Sequence, residues 1–436
     1  MSNVLELLDQ TAFDVERATG ATNQLQCVWV YNRPVDIDGL RRLHERLHRG
    51  PLLGRGIERS PLPFGRHRWT SPNRSADIEI VASPRSREEF DAWLDEQPPV
   101  PLDVQRGPGW HLAVLPFTDG GAGISLVASH CLIDGVGLCD ALADAACGRG
   151  TTVGWPAAAS RRPWRAVRED MRQTVRDIPD IGRAIVAAAR LARHNGSQAG
   201  SAAPAAAGPD ERIAIPRETI FVDADEWEAR ARSLGGTSNA LLAGVAARLA
   251  RRLGRVTPAG LVTLTMPVNE RGPDDTRAGA VTEVDITVDP TPATTDLRGI
   301  RAAIKQALTR QREAPDERWA LLPVVPLLPQ WLIRRISVVY GSETRVVSSN
   351  LGVIAPGANR PDGTDADYFA MTWRYPRATK TLLHRAGGVL AVLSGTLHGR
   401  VFISVLAYQP GKSSEDLRLS LSSTLNEFSL AGTRLQ

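Results

Sequence analysis

The stretch that most limits how this chain can fold is "NGSQAGSAAPAAAGPDER", residues 195–212. It is built largely from Ala, Gly, Ser and Pro and lacks apolar periodicity. A segment of that kind has no face to bury, so it reads as a flexible crossover. It separates two near-equal parts, 1–194 and 213–436, each long enough for its own core. The expected organisation is an N-terminal lobe, a crossover linker and a C-terminal lobe.

Both parts mix strand and helix patterns. In the first, "QLQCVWVYNR" (24–33) reads as a strand and "DGLRRLHERLHR" (38–49) as a helix with Leu40, Leu43 and Leu47 on one face. "ADIEIVAS" (76–83) reads as a short strand. Ser86 and Glu89 form a capping-box pattern ahead of "FDAWLDEQ". "WHLAVLPF" (110–117) and "GISLVASH" (123–130) flank "TDGGA" as a hairpin. "GVGLCDALADAACG" follows as a helix, and 161–194 is helical, Arg-rich and interrupted near Pro179. In the second part, strands are expected at 217–224, 260–268, 280–288, 344–352, 367–375, 388–397 and 400–408. Helices are expected at "DEWEARARSLG", "SNALLAGVAARLARRLGR", 295–313, 317–337 and 414–429. Without strict βαβ alternation, this points to an α+β sandwich in each half rather than a doubly wound sheet.

Composition excludes several classes. Hydrophobic residues make 42% of the 436 and charged residues 23%, as in ordinary globular chains. The net charge is +4, and no Lys/Arg tract with interleaved aromatics appears, so nucleic acid is not an expected partner. Four cysteines make no disulfide framework. Cys131, Cys139 and Cys147, spaced by eight, read as small buried hydrophobes. The N-terminus has no signal pattern and no run of 18 apolar residues occurs, so the expected setting is a reducing cytoplasm. No GxSxG, Walker or GxGxxG pattern supports a serine hydrolase, a P-loop enzyme or a dinucleotide enzyme.

The chemistry concentrates at "SHCLIDGVG", 129–137. His130 closes an apolar strand and stands at a turn, where an imidazole is both held and exposed. Near its reference pKa of about 6.5, such a group takes a proton at neutral pH. Asp134 can brace the loop through backbone or guanidinium hydrogen bonds. Gly135 reads as a position of positive φ. Spacing alone leaves a general base and a structural histidine at a strand end both open.

"SHCLIDG" resembles the HHxxxDG motif of the CoA-dependent acyltransferase superfamily. That superfamily includes chloramphenicol acetyltransferase, nonribosomal-peptide condensation domains, polyketide-associated acyltransferases and the bacterial wax ester synthase/diacylglycerol acyltransferases. The last group looks most similar. "LLDQTAFDVE" (7–16), "GPLLGRGIE" (50–58) with Trp69, "TSNALLAGVAARLARRLG" (237–254), "TMPVNERG" (265–272) and "SSNLG" (348–352) resemble its segments in the same order. Three departures stand out. Ser129 replaces the first motif His, Ala240 the Asp of an Asn-Asp pair, and Ala280 falls where Gly-Asn is usual.

The resemblance implies two chloramphenicol-acetyltransferase-like α/β sandwich lobes with an interface tunnel. It implies His130 as the base that deprotonates an acceptor attacking an acyl thioester, with Asp134 as its catalytic neighbour. Gly135, Gly137, Asn269, Arg271, Ser349 and Asn350 would form the substrate-binding surface. Ser349 and Asn350 read either as oxyanion donors or as a simple turn. Arg271 reads either as the partner of Asp134 or as a solvated side chain, and Gly137 either as a close approach to ligand or as packing.

The reaction needs no metal and no resident cofactor, since acyl-CoA is a substrate. The expected activity is acyl transfer from acyl-CoA to an alcohol, of wax ester or diacylglycerol type. A carrier-protein thioester with an alcohol or amine acceptor is the alternative, and Ser129 keeps a catalytically silent binding or scaffolding relative open.

Two further stretches compete for attention. "HERLH" (His44–His48) matches a zinc-binding pattern, but no third ligand is evident downstream. "LLPVVPLLPQWLIRR" (321–335) reads either as an interfacial segment that admits a lipid, giving a peripheral membrane or lipid surface as partner, or as a buried connector.

Overall fold

The computed structural model describes residues 2–74, 77–149, 153–194, 211–313, 319–339, 345–385 and 387–434. The expected linker therefore lies outside the described residues, apart from Glu211 and Arg212. The chain forms two lobes, each a sheet covered by helices. The first sheet runs Tyr368–Arg374, Gln24–Tyr31, Ala122–Ser129, Trp110–Pro116, Glu79–Ile80. All its pairings are antiparallel except the last. Gln24–Tyr31 is buried along its whole length, as a strand covered on both faces must be. The Nε2 of its internal amide, Gln26, donates to Leu94 O at 3.0 Å and Ser125 Oγ at 2.9 Å.

The second sheet has seven strands in the order Thr433–Arg434, Arg217–Asp223, Arg400–Tyr408, Val389–Leu397, Arg345–Val353, Val262–Asn269, Val281–Val288. Arg345–Val353 is parallel to both of its neighbours. Helix Ser238–Arg252 packs on this sheet. Small residues such as Ala243, Ala246, Ala247 and Ala250 let it lie close, and all four are fully buried. Strand Tyr368–Arg374 comes from the second half of the sequence yet pairs with Gln24–Tyr31, so it stitches the two lobes together.

Several elements differ from the sequence expectation. Pro179 does not interrupt its helix: Pro163–His194 runs through it. The missing N–H costs one backbone bond, which a long exposed helix can absorb. The segment expected as one helix over 317–337 splits into a 3₁₀ stretch, Trp319–Leu327, and a helix, Gln330–Val339. Pro323 and Pro326 remove the donors that α-helical bonding requires there. Cys147 is exposed rather than buried, because it ends helix Gly135–Cys147 just before Gly148 turns the chain at φ +69°. The Ser86–Glu89 capping box forms as read. Among the described residues, no helix is long and apolar enough to cross a membrane.

Candidate active site

Strand Ala122–Ser129 delivers His130 to the edge of the first lobe. The main chain there is pinned on both sides. His130 N donates to Asn23 O at 2.9 Å, and Leu132 and Ile133 are wholly buried. Arg55 donates to Leu132 O at 2.8 Å, so a second element holds the turn. The His130 ring is partly buried. Burial pushes its pKa below the ordinary 6.5, against the ring's hydrogen bond to its own main chain and the nearby Asp134 charge, which both raise it.

Asp134 caps helix Gly135–Cys147 and also joins the lobes. Its Oδ1 accepts from Gly137 N at 2.7 Å. Its Oδ2 accepts from Arg271 Nη2 at 2.6 Å and from Ala280 N at 2.8 Å, while its own N–H donates to Ala278 O at 2.8 Å. The Asp134 and Arg271 side chains are 3% and 5% exposed, so the ion pair is shielded from solvent. The two terminal nitrogens of Arg271 also donate to the carbonyls of Asp275, Arg277 and Ala278. Asn269 is exposed and accepts from Arg271 N at 3.0 Å, turning the strand end so that the guanidinium points inward.

The two glycines serve packing. Gly135 takes helical backbone, not the positive φ that the sequence reading gave it, because it is the first residue of the helix that Asp134 caps. A Cβ there would come within 2.9 Å of Leu351 Cδ2. At Gly137 a Cβ would lie 2.9 Å from Arg271 Cζ, so the absent side chain makes room for the guanidinium. Gly137→Ala should therefore lose about 1 kcal/mol of stability. Overpacking costs about 1–3 kcal/mol, offset by about 1 kcal/mol of helix propensity. Urea unfolding measures it, and unchanged or increased stability would show that the guanidinium yields freely.

Ser349 and Asn350 sit in consecutive positions of strand Arg345–Val353, on opposite faces. Asn350 Nδ2 donates to Asn239 Oδ1 at 2.5 Å, and its Oδ1 accepts from Gly352 N at 2.9 Å as the chain turns at φ +73°. Ser349 is buried, and Leu351, two positions on, is the residue that abuts Gly135.

Two residues that the sequence reading did not single out complete the junction. Asp9 accepts from Ala278 N and Gly279 N, both at 2.9 Å. Burial raises its pKa against those two bonds. Its sequence signal was a carboxylate four residues ahead of Phe13, on the buried face of helix Leu7–Thr19. Arg55 stacks 3.6 Å over Trp69 and also donates to Thr276 O in the second lobe. Burial drops its pKa to about 9.

Ser129, in place of the first motif His, accepts from Cys131 N at 3.3 Å. It lines a cavity of about 140 Å³ with Glu16, Thr22, Gln24 and Arg377. A larger cleft, about 280 Å³, lies where Arg271 and the segment after it meet helices Ile37–Arg49 and Gly135–Cys147. His130 lines neither of these two. The His44 and His48 rings pack on Trp110 at 5.0 and 4.5 Å. No group of three or more His, Cys, Asp and Glu able to hold a metal occurs among the described residues.

No family model matches the chain, and no curated protein matches its sequence. Solved structures do match, along nearly its whole length. A trichothecene 15-O-acetyltransferase from Fusarium sporotrichioides superposes with a TM-score of 0.60 at 11% identity, covering 98% of this chain and 94% of its own. The first condensation domain of the calcium-dependent antibiotic synthetase, in complex with a substrate analogue, gives 0.59 at 14%, covering 98% and 96%. This is the condensation-domain and CoA-dependent acyltransferase fold. The wax ester synthase/diacylglycerol acyltransferase from Marinobacter aquaeolei VT8 matches as well, at 0.54 and 15% identity, covering 98% of both chains. Scores this even across acetyltransferase, condensation and wax ester structures do not single out one of them.

Proposed function

We propose that the protein is an acyltransferase in which the His130 ring removes the proton of an acceptor as it attacks an acyl thioester. The observation that carries this reading is the His130 turn. Its main chain is pinned from two sides, its ring stands where the strand ends, and Asp134, four residues on, ties the turn to the second lobe. The nucleophile's oxygen or nitrogen forms the new bond to the carbonyl carbon. The C–S bond breaks as the tetrahedral centre collapses, and the proton held on His130 returns to the departing thiolate. Ser349 is the proposed donor to the oxyanion, a contribution typically worth about 2.7–4 kcal/mol.

The preferred substrates are an acyl-CoA and an alcohol of wax ester or diacylglycerol type. The second reading, a carrier-protein thioester with an alcohol or amine acceptor, is favoured by the condensation domain among the structural neighbours. A thiol-release screen tests both. It pairs acyl-CoAs of increasing chain length, and the same acyl groups on a carrier protein, with alcohols and amines. Release from CoA thioesters that needs an alcohol supports the first reading. Release only from the carrier supports the second. Release from neither, with any acceptor, overturns the acyltransferase reading.

A further inference from the structure

Helix Pro163–His194 exposes an apolar stripe that the fold leaves uncovered. Trp164, Val167, Met171, Val175, Ile178 and Ile185 are each between 39% and 57% exposed. At roughly 100° per residue, they fall within an arc of about 100° along one side of the helix. One flank of the stripe is occupied: Thr174, Asp177 and Ile181 pack against Pro323, Pro326 and Leu327. Thus, of the segment 321–335, read from sequence as either interfacial or a connector, the part in Trp319–Leu327 packs between this helix and Leu7–Thr19, and helix Gln330–Val339 packs on Leu7–Thr19 with Trp331 exposed.

The charges on the helix are sorted in the same way. Its acids are all engaged. Asp170 pairs with Arg68 and Arg161, Glu169 with Arg161, Asp177 with Arg66, and Asp180 with Arg183. Arg165, Arg168, Arg172 and Arg176 project beside the apolar stripe, all exposed, and form no ion pair among the described residues. The result is an apolar band with a one-sided row of unneutralised arginines.

We propose that this helix seats the protein on an anionic lipid surface, apolar stripe inward and arginine row on the phosphates. An interfacial helix combines these two features, and each basic side chain near such a surface adds attraction. A second copy of the chain fits less well. An antiparallel pair of stripes sets arginine row against arginine row, and a parallel pair needs the flank already packed on Trp319–Leu327. The inference is independent of the acyl-transfer reading.

Co-sedimentation of the full chain with phosphatidylcholine vesicles, with and without about 30% phosphatidylglycerol, tests it. The expected result is at least about tenfold stronger binding to the anionic vesicles, falling with salt. Two variants change exposed positions only: Met171→Ser/Ile178→Ser and Arg168→Gln/Arg172→Gln/Arg176→Gln. Each should lose at least about tenfold in binding while keeping the wild-type circular dichroism and thermal midpoint. Equal binding to both vesicle types, or no binding to either, would overturn the proposal. So would a concentration-dependent dimer in sedimentation velocity that Met171→Ser/Ile178→Ser abolishes, or binding to polyglutamate without binding to vesicles.

Discussion

His130→Ala should lower kcat by about 10²–10⁴ while leaving thermal stability within about 1 kcal/mol. The two halves of this expectation have different origins. The rate loss follows from removing the positioned lone pair, since water near the site is a far weaker base. The small stability change follows from where the ring sits. It is partly exposed at a strand end, and the bonds that hold the turn are made by main chain: His130 N to Asn23, Asp134 N to Ala278, and Leu132 O to Arg55. A structural histidine would show the reverse pattern, a lower melting point with turnover intact. Steady-state thiol release and a melting curve on the same preparation separate the two.

Arg271→Met should be the most destabilising single change at the junction, by about 3–5 kcal/mol. The variant leaves the Asp134 carboxylate buried with two backbone donors but no counter-charge, and it strips three carbonyls of a donor. Desolvated charge without a partner is what makes breaking such a pair costly, whereas the same pair on the surface would matter by about 0–1 kcal/mol. Asp134→Asn breaks the same ion pair from the other side. The double variant should therefore cost less than the sum, with a coupling of about 0.5–3 kcal/mol. Urea unfolding of the four proteins measures it. Strict additivity would mean that the two residues stabilise their lobes separately.

Much of the first lobe was legible because its signals are local. The hairpin Trp110–Pro116 and Ala122–Ser129 announces itself by two apolar runs around a Gly-rich turn, and the Ser86–Glu89 box by spacing alone. The site was legible only as far as one motif reaches. His130 and Asp134 share a turn, so their proximity is written in the sequence. Asp9 and Arg55 reach the same junction from elsewhere in the chain, through bonds to the second lobe's main chain that no spacing encodes. Strand Tyr368–Arg374 carries a strand pattern, but which sheet edge it joins is decided by non-local pairing with Gln24–Tyr31. Gly137 could be read as a close approach. That the approaching group is Arg271, 134 positions away in sequence, depends on how the lobes meet.

The central claim is that His130 is the base, and the pH dependence of kcat/KM tests it most directly. Its activity rises as the ring loses its proton. Because burial lowers the pKa, the wild-type profile should climb on the acid side with its midpoint below 6.5 and be flat through neutrality. The residual rate of His130→Ala should lack that limb. The same acid limb and the same rate in the variant would contradict the account.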